Sequence, residues 1–211
     1  MADFGLRIYR FVAKVTGLAL GRHPIVESVY ANRGVGRGEV SFGRSDIDLS
    51  VITRDCHPEG QEGPLLYSLY RWVCALRCAN PALTHMMVYD PLDIDRWMRT
   101  DTYLGSQERR SMLLLAGKPV ATPTVAVRRE DAVRWVAFWC DRFFPLAVQQ
   151  RNGRNLKKIA IEVWKSWVVA RGFIAEPYLT LREAVEKAET HEMGPALAKV
   201  VREPMRAVEF V

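Results

Sequence analysis

The sequence predicts an α/β (α+β) chain, with a small mixed sheet flanked by helices in residues 1–125 and an all-helical part in residues 126–211. Three observations carry this reading. Short runs rich in β-branched and aromatic residues, IVESVYA from Ile25, DIDLSVIT from Asp46 and LTHMMVY from Leu83, alternate with longer stretches of helical spacing. A glycine-rich stretch with Gly34, Gly36, Gly38 and Gly43 separates the first two runs. After Gly117 the segment PVATPTVAV reads as a linker or a short edge strand, and from Glu130 onward the patterns are almost wholly helical.

Taken in order, Leu6, Tyr9 and Val12 give residues 2–20 the spacing of an amphipathic helix, and Pro24 introduces the first strand. The second strand alternates from Asp46 to Thr53 with the two-residue period of a ribbon whose faces differ. Arg54 to Pro64 is polar, with two glycines and two prolines, and reads as a surface loop before a helix over Leu65–Arg77 that Asn80-Pro81 closes. Asp90-Pro91 ends the third strand and opens one or two helices across Leu92–Ala116. In the second half, Glu130–Gln149 is rich in aromatics. Residues 156, 159, 160, 163, 164 and 167 form an apolar stripe, and Thr180-Leu-Arg-Glu183 has the spacing of a capping box. No repeat of a solenoid's period is visible.

Composition narrows the function classes. With 49% hydrophobic and 26% charged residues in 211, the chain has the make-up of a folded protein and not of a disordered one. Thirty Lys and Arg against 24 Asp and Glu leave a net charge of +6, which favours polyanionic partners. Cys56, Cys74, Cys78 and Cys140 contain no C-x-x-C pair, so reduced thiols are expected. The apolar runs near 132–148 and 159–169 are broken by Arg134, Asp141, Arg142, Glu162 and Lys165, too soon for a membrane span of about 20 residues. The N-terminus carries no export signal, and the expectation is a soluble cytoplasmic protein without a membrane partner.

The words that carry chemistry run from Gly34 to Ile52, GVGRGEVSFGRSDIDLSVI. On a strand, Asp46 and Asp48 project from one face with Cα atoms about 6.6 Å apart, while Ile47 and Leu49 face the core. Two adjacent carboxylates repel each other unless a cation joins them, and Mg²⁺ commonly links one or two carboxylates to substrate phosphates. The loop before them supplies the complement. Its glycines let backbone N–H groups approach an anion, Arg33, Arg37 and Arg44 add forked cationic donors, and Ser45 offers a hydroxyl.

The order of strand, G-x-G-R-G-E, short spacer, S-D-I-D-L and strand resembles the signature of the DNA polymerase beta-type nucleotidyltransferase superfamily, most strongly over Val29–Ile52 and more loosely over the first ~120 residues. The resemblance implies a nucleotidyltransferase domain in residues 1–125, with the helical part, 126–211, shaping the acceptor site. It implies two Mg²⁺ ions and a nucleoside triphosphate such as ATP as substrate, with attack of an acceptor hydroxyl on the α-phosphate and release of pyrophosphate. Asp46 and Asp48 would be metal ligands, and Gly34, Arg37, Gly38, Arg44 and Ser45 would surround the triphosphate. Small antibiotic-modifying members share the two-part layout and point to a small-molecule acceptor. RNA or protein acceptors, or a non-catalytic nucleotide-binding relative, are the alternatives.

Two departures from the family pattern stand out. Arg33-Gly34 occupies the place of the family's Gly-Ser, so that serine hydroxyl is missing. The third carboxylate of a later strand falls in LTHMMVYD, where either Asp90 completes the metal site or His85 takes the position as base or weak ligand.

Other candidates have plainer readings. Asp93 and Asp95 suit the first turn of a helix, and Arg151, Arg154, Lys157 and Lys158 suit either an anion or a solvated helix end. Trp135, Phe138, Trp139, Phe143 and Phe144 have the spacing of helix packing, Glu162 is expected at the surface, and His23, His57 and His191 lack the spacing of a zinc site.

Overall fold

The computed structural model describes residues 2–40, 42–43, 45–54, 63–192 and 194–204. The chain is α+β, with a four-stranded mixed sheet in the order β3-β2-β1-β4 and helices making up most of the remainder. It divides into two compact units, one holding the residues up to Thr100 together with Glu108–Thr124, the other holding Asp101–Gln107 and the residues from Val125 on.

In the first unit, α1 (Ala2–Leu20) leads to β1 (Val26–Ala31), the short helix α2 (Arg33–Arg37) and β2 (Asp48–Thr53). Next come α3 (Gly63–Ala79), β3 (His85–Tyr89) and α4 (Pro91–Thr100), then α5 (Thr102–Ser111) and β4 (Leu113–Gly117). The division between the units falls within α5. β1 is antiparallel to both β2 and β4, whereas β2 and β3 run parallel, which the α3 crossover makes possible. Alternation along β2 divides the core. Leu49 and Val51 join Tyr9, Ala13, Val29, Leu69 and Val73 in one cluster, and Ile52 packs with Tyr30, Ile94 and Met98 in another.

β4 corrects the expected helix across Leu92–Ala116. Met112 to Ala116 is a short apolar run whose length and composition suit a buried strand as well as a helical turn, and its pairing with β1 decides the matter. α2 likewise lies where a loop is expected. Gly36 makes it possible, because a Cβ there would lie 1.8 Å from the Ser111 carbonyl oxygen and 2.9 Å from that of Ala31. Both obstacles are backbone and cannot swing aside, so Gly36→Ala is expected to cost about 2–3 kcal/mol, read as a lower urea midpoint with unchanged m-value.

Every described element of the second unit after Val125 is helical: α6 (Arg129–Phe138), a π-helical turn over Trp139–Phe143, α7 (Phe144–Gln149), α8 (Gly153–Ala170), α9 (Leu181–Ala188) and α10 (Gly194–Arg202). The aromatic run does pack on itself, with Trp135 and Phe138 rings 4.8 Å apart edge to face and Trp139 and Phe143 5.1 Å apart. Thr180 caps α9 by accepting the Glu183 N–H at 3.0 Å, and the Glu183 carboxylate reaches back to the Leu179 N–H at 3.0 Å.

Glu162 departs from its expected exposure. It is buried on α8 and pairs at 3.3 Å with Lys165, which has no exposed surface. Among the described residues, no helix is long and apolar enough to cross a membrane. Cys74, Cys78 and Cys140 are free thiols, while Cys56 and His57 lie outside the described residues.

Candidate functional site

The strand begins at Asp48, two residues later than the sequence pattern suggests, and this makes the two acids unequal. The Ile47 N–H donates to the Ala82 carbonyl at 2.7 Å and the Asn32 N–H to the Asp48 carbonyl at 3.0 Å, pinning the head of β2 between its neighbours. Ile47 and Leu49 are buried in the core, so the Asp48 side chain takes the opposite face, where the residue is only 8% exposed. Asp46 precedes the ladder and is exposed.

His85 and Arg33 both approach Asp48. His85 is its register partner on β3, and the imidazole Nδ1 lies 3.3 Å from Asp48 Oδ1. The same nitrogen is 3.0 Å from the Thr84 hydroxyl, so it either donates to Asp48 or accepts from Thr84, not both at once. From the start of α2, the Arg33 guanidinium approaches Asp48 Oδ1 at 4.0 Å and donates through Nε to Glu108 Oε1 at 3.1 Å. Arg33 takes a positive φ of 49°, uncommon for a residue with a side chain. Behind Asp48, Asn32 donates from Nδ2 to the Ser50 hydroxyl at 2.6 Å, and neither Asn32 Oδ1 nor Glu108 Oε2 has a hydrogen-bond partner among the described residues.

The parallel register settles where the two rival residues stand. His85 pairs with Asp48 and Tyr89 with Ile52, which puts Asp90 at least about 13 Å further along the strand than His85. Asp90 is instead the cap of α4, accepting the Asp93 N–H at 2.6 Å, and Asp95 pairs with Arg99 at 2.7 Å. The structure thus brings Asp48 and His85 together and leaves Asp90 at the opposite end of β3.

The glycine loop is tied into its own turns. Gly34 accepts the Glu39 N–H at 2.8 Å, the Gly36 N–H donates to Asn32 at 3.2 Å, and Gly38 ends α2 in a left-handed conformation at φ 78°. Arg37 is mostly buried, with Nε 3.9 Å from Glu39 Oε2. Ser45 is half-buried, and Arg44 lies outside the described residues. Arg151, Arg154, Lys157 and Lys158 are all exposed around the start of α8, in the second unit.

Glu108 is the member of this group that sequence reasoning does not find, since GSQERRS on a helix reads as an ordinary solvated face. Burial raises its carboxyl above the usual value of 4.5, and Arg33 and Arg37 only partly oppose that. Arg33 is raised in turn, burial working against its charge and Glu108 and Asp48 outweighing it. Because the folded state holds the Glu108 proton more tightly than the unfolded chain does, the contribution to stability is full below pH 4.5 and is lost as pH rises toward the folded value. Glu108→Gln keeps an acceptor for Arg33 without the buried charge. The expected result is an unfolding free energy at pH 7 no lower than the parent's, with a flatter pH dependence above 4.5. A less stable Gln variant at pH 7 would show that the carboxylate is the favoured form.

A divalent ion can be tested against these donors. Asp48 with the more exposed Asp46 provides the one or two carboxylates that a Mg²⁺ ion keeping its waters and carried in with a triphosphate needs. The other groups facing Asp48 Oδ1 are an imidazole nitrogen at 3.3 Å and a guanidinium at 4.0 Å, and a guanidinium has no lone pair to offer a cation. Among the described residues, no group of three or more His, Cys, Asp or Glu is placed to hold a metal ion. In comparisons with known proteins, no family model matches the chain and no curated protein does.

Proposed function

We propose that the chain is a cytoplasmic, Mg²⁺-dependent nucleotidyltransferase of the DNA polymerase beta type, an α/β catalytic domain followed by an all-helical one, which moves a nucleoside monophosphate from a triphosphate to an acceptor hydroxyl. The observation that carries the reading is the buried Asp48 at the head of an inner strand, two residues after Asp46 and just after the glycine and arginine turn. Asp48 and Asp46 would hold one Mg²⁺, which supplies charge to offset the phosphate oxygens. Asn32 and the β2 ladder fix the head of the strand, so Asp48 keeps its direction. Arg33, held by Glu108, keeps a fixed positive charge beside the carboxylate and can meet a phosphate oxygen.

Two observations favour a second reading, a relative that binds the nucleotide without transferring it: His85 stands opposite Asp48 in place of a carboxylate, and Arg33 already faces Asp48. One assay separates the two. α-Labelled nucleoside triphosphates are incubated with Mg²⁺ and a panel of acceptors, small-molecule alcohols first, then RNA and protein, and both label transfer and pyrophosphate are measured. The transfer reading expects pyrophosphate from the parent with at least one acceptor. Binding without release from the parent, together with release from His85→Asp, would establish the second reading and overturn the first.

A further inference from the structure

The outer face of α3 has an unusual make-up. Leu66, Leu69, Val73 and Leu76 turn inward, and the adjoining outer stripe at helical spacing is Tyr67, Tyr70, Arg71, Cys74, Arg77 and Cys78. Tyr67 and Tyr70 are 65% and 64% exposed, so these rings are spent on solvent and not on the core. The helix contains Arg71 and Arg77 and no Asp or Glu, so nothing on it offsets their charge. A solvated helix face is ordinarily built from mixed Glu and Lys pairs, which cost nothing to expose.

At its C-terminal end the stripe runs into a cavity of about 390 Å³ lined by Cys74, Arg77, Cys78, Pro81, Leu83 and Thr84. Thr84 is the residue whose hydroxyl lies 3.0 Å from His85 Nδ1. The face therefore ends one side chain away from the group around Asp48.

We propose that this face of α3 and its cavity bind single-stranded nucleic acid, with Tyr67 and Tyr70 stacking on bases and Arg71 and Arg77 meeting phosphates. Charge selects the partner. Arginines with no acid on their own helix, interleaved with flat, exposed aromatic rings, match the two repeating features of a single strand, whereas an acidic protein surface would engage the arginines and leave the rings unused. Tyr67 and Arg77 are ten residues apart, about 15 Å along the helix, enough to track a few nucleotides. The proposal concerns binding and stands whether or not Asp48 serves nucleotidyl transfer.

The test is fluorescence anisotropy of end-labelled single-stranded RNA, single-stranded DNA and duplex DNA with the full chain over a range of salt. The expected result is binding of one or both single strands in preference to duplex. Tyr67→Ala and Tyr70→Ala should each weaken it by about tenfold, within the range known for base stacking on aromatic side chains. Arg71→Ala and Arg77→Ala should each flatten the salt slope by about 0.7. Arg202→Ala, on α10, removes the same charge elsewhere and should leave binding unchanged. Absence of binding, equal loss in Arg202→Ala, or indifference to both tyrosine variants would overturn the proposal. So would sedimentation showing a parent dimer that Tyr67→Ala and Tyr70→Ala dissociate, because the face would then cover a second copy of the chain. Circular dichroism of each variant checks that these exposed substitutions leave the fold intact.

Discussion

Asp48→Asn is expected to remove Mg²⁺-dependent turnover while the chain stays folded. The amide has nearly the shape of the carboxylate and can still face His85 Nδ1, and the bond from the Asn32 N–H to the residue-48 carbonyl is backbone to backbone and unaffected. Arg33 retains Glu108 at 3.1 Å, so its guanidinium is not stranded. What disappears is the negative charge at the head of β2. A ligand that supplies several kcal/mol of charge stabilisation converts to a loss of about a thousandfold or more. Asp46→Asn should cost less, because that residue is exposed and water can take its place. Melting temperatures of both variants within a few degrees of the parent would show that the loss is chemical and not structural. Turnover retained in Asp48→Asn would remove Asp48 from the site.

Asp131→Ala should clearly destabilise the helical unit. The residue is 2% exposed, and its carboxylate accepts from the Thr102 N–H at 2.9 Å, the Thr102 hydroxyl at 2.6 Å and Arg128 Nε at 2.9 Å, with Arg134 as a fourth partner. The Thr102 hydroxyl oxygen in turn accepts the Arg128 N–H at 2.8 Å, so one acid joins the first turn of α5 to the first turn of α6. Removing it leaves a buried amide and hydroxyl without their acceptor, while the two arginines are more than half exposed and turn to water, an expected loss of about 2–3 kcal/mol.

The pH dependence follows from the same contacts. Burial alone would raise the Asp131 carboxyl, but hydrogen bonds from Thr102 and the Arg128 charge hold it below 3.8. A lowered folded value means that its stabilisation is present above 3.8 and is lost as pH falls through the folded value. Urea denaturation of the parent and Asp131→Asn should therefore differ most near neutral pH and converge in strong acid. A constant gap at every pH would mean that packing, and not charge, makes the contribution.

How far the sequence could be read depended on the kind of signal. Three strands announced themselves through β-branched alternation, and α1 and α3 through their apolar spacing. β4 did not, because LLLAG is too short for either period to show and only its pairing with β1 makes it a strand. Within the candidate site, Asp48 was legible because a strand displays every second residue. Alternation alone places the head of β2 two residues early, since the hydrogen bond from Ile47 to Ala82, and not the alternation, marks where Asp46 leaves the sheet. The choice between His85 and Asp90 turned on register, which no single strand carries in its own letters. Glu108 and Lys165 were out of reach for another reason. Each is a charged residue on a helix, outwardly like any solvated one, and its burial depends on chain that folds over it from far away in sequence.

Isothermal titration of each ribonucleoside triphosphate, with and without Mg²⁺, into the parent and into Asp48→Asn tests the central claim most directly, because it needs no knowledge of the acceptor. The account expects at least one triphosphate to bind the parent with Mg²⁺ present, far more weakly when Mg²⁺ is withheld, and not measurably to Asp48→Asn. Equal binding by the two proteins, or no binding of any triphosphate to the parent, would contradict it.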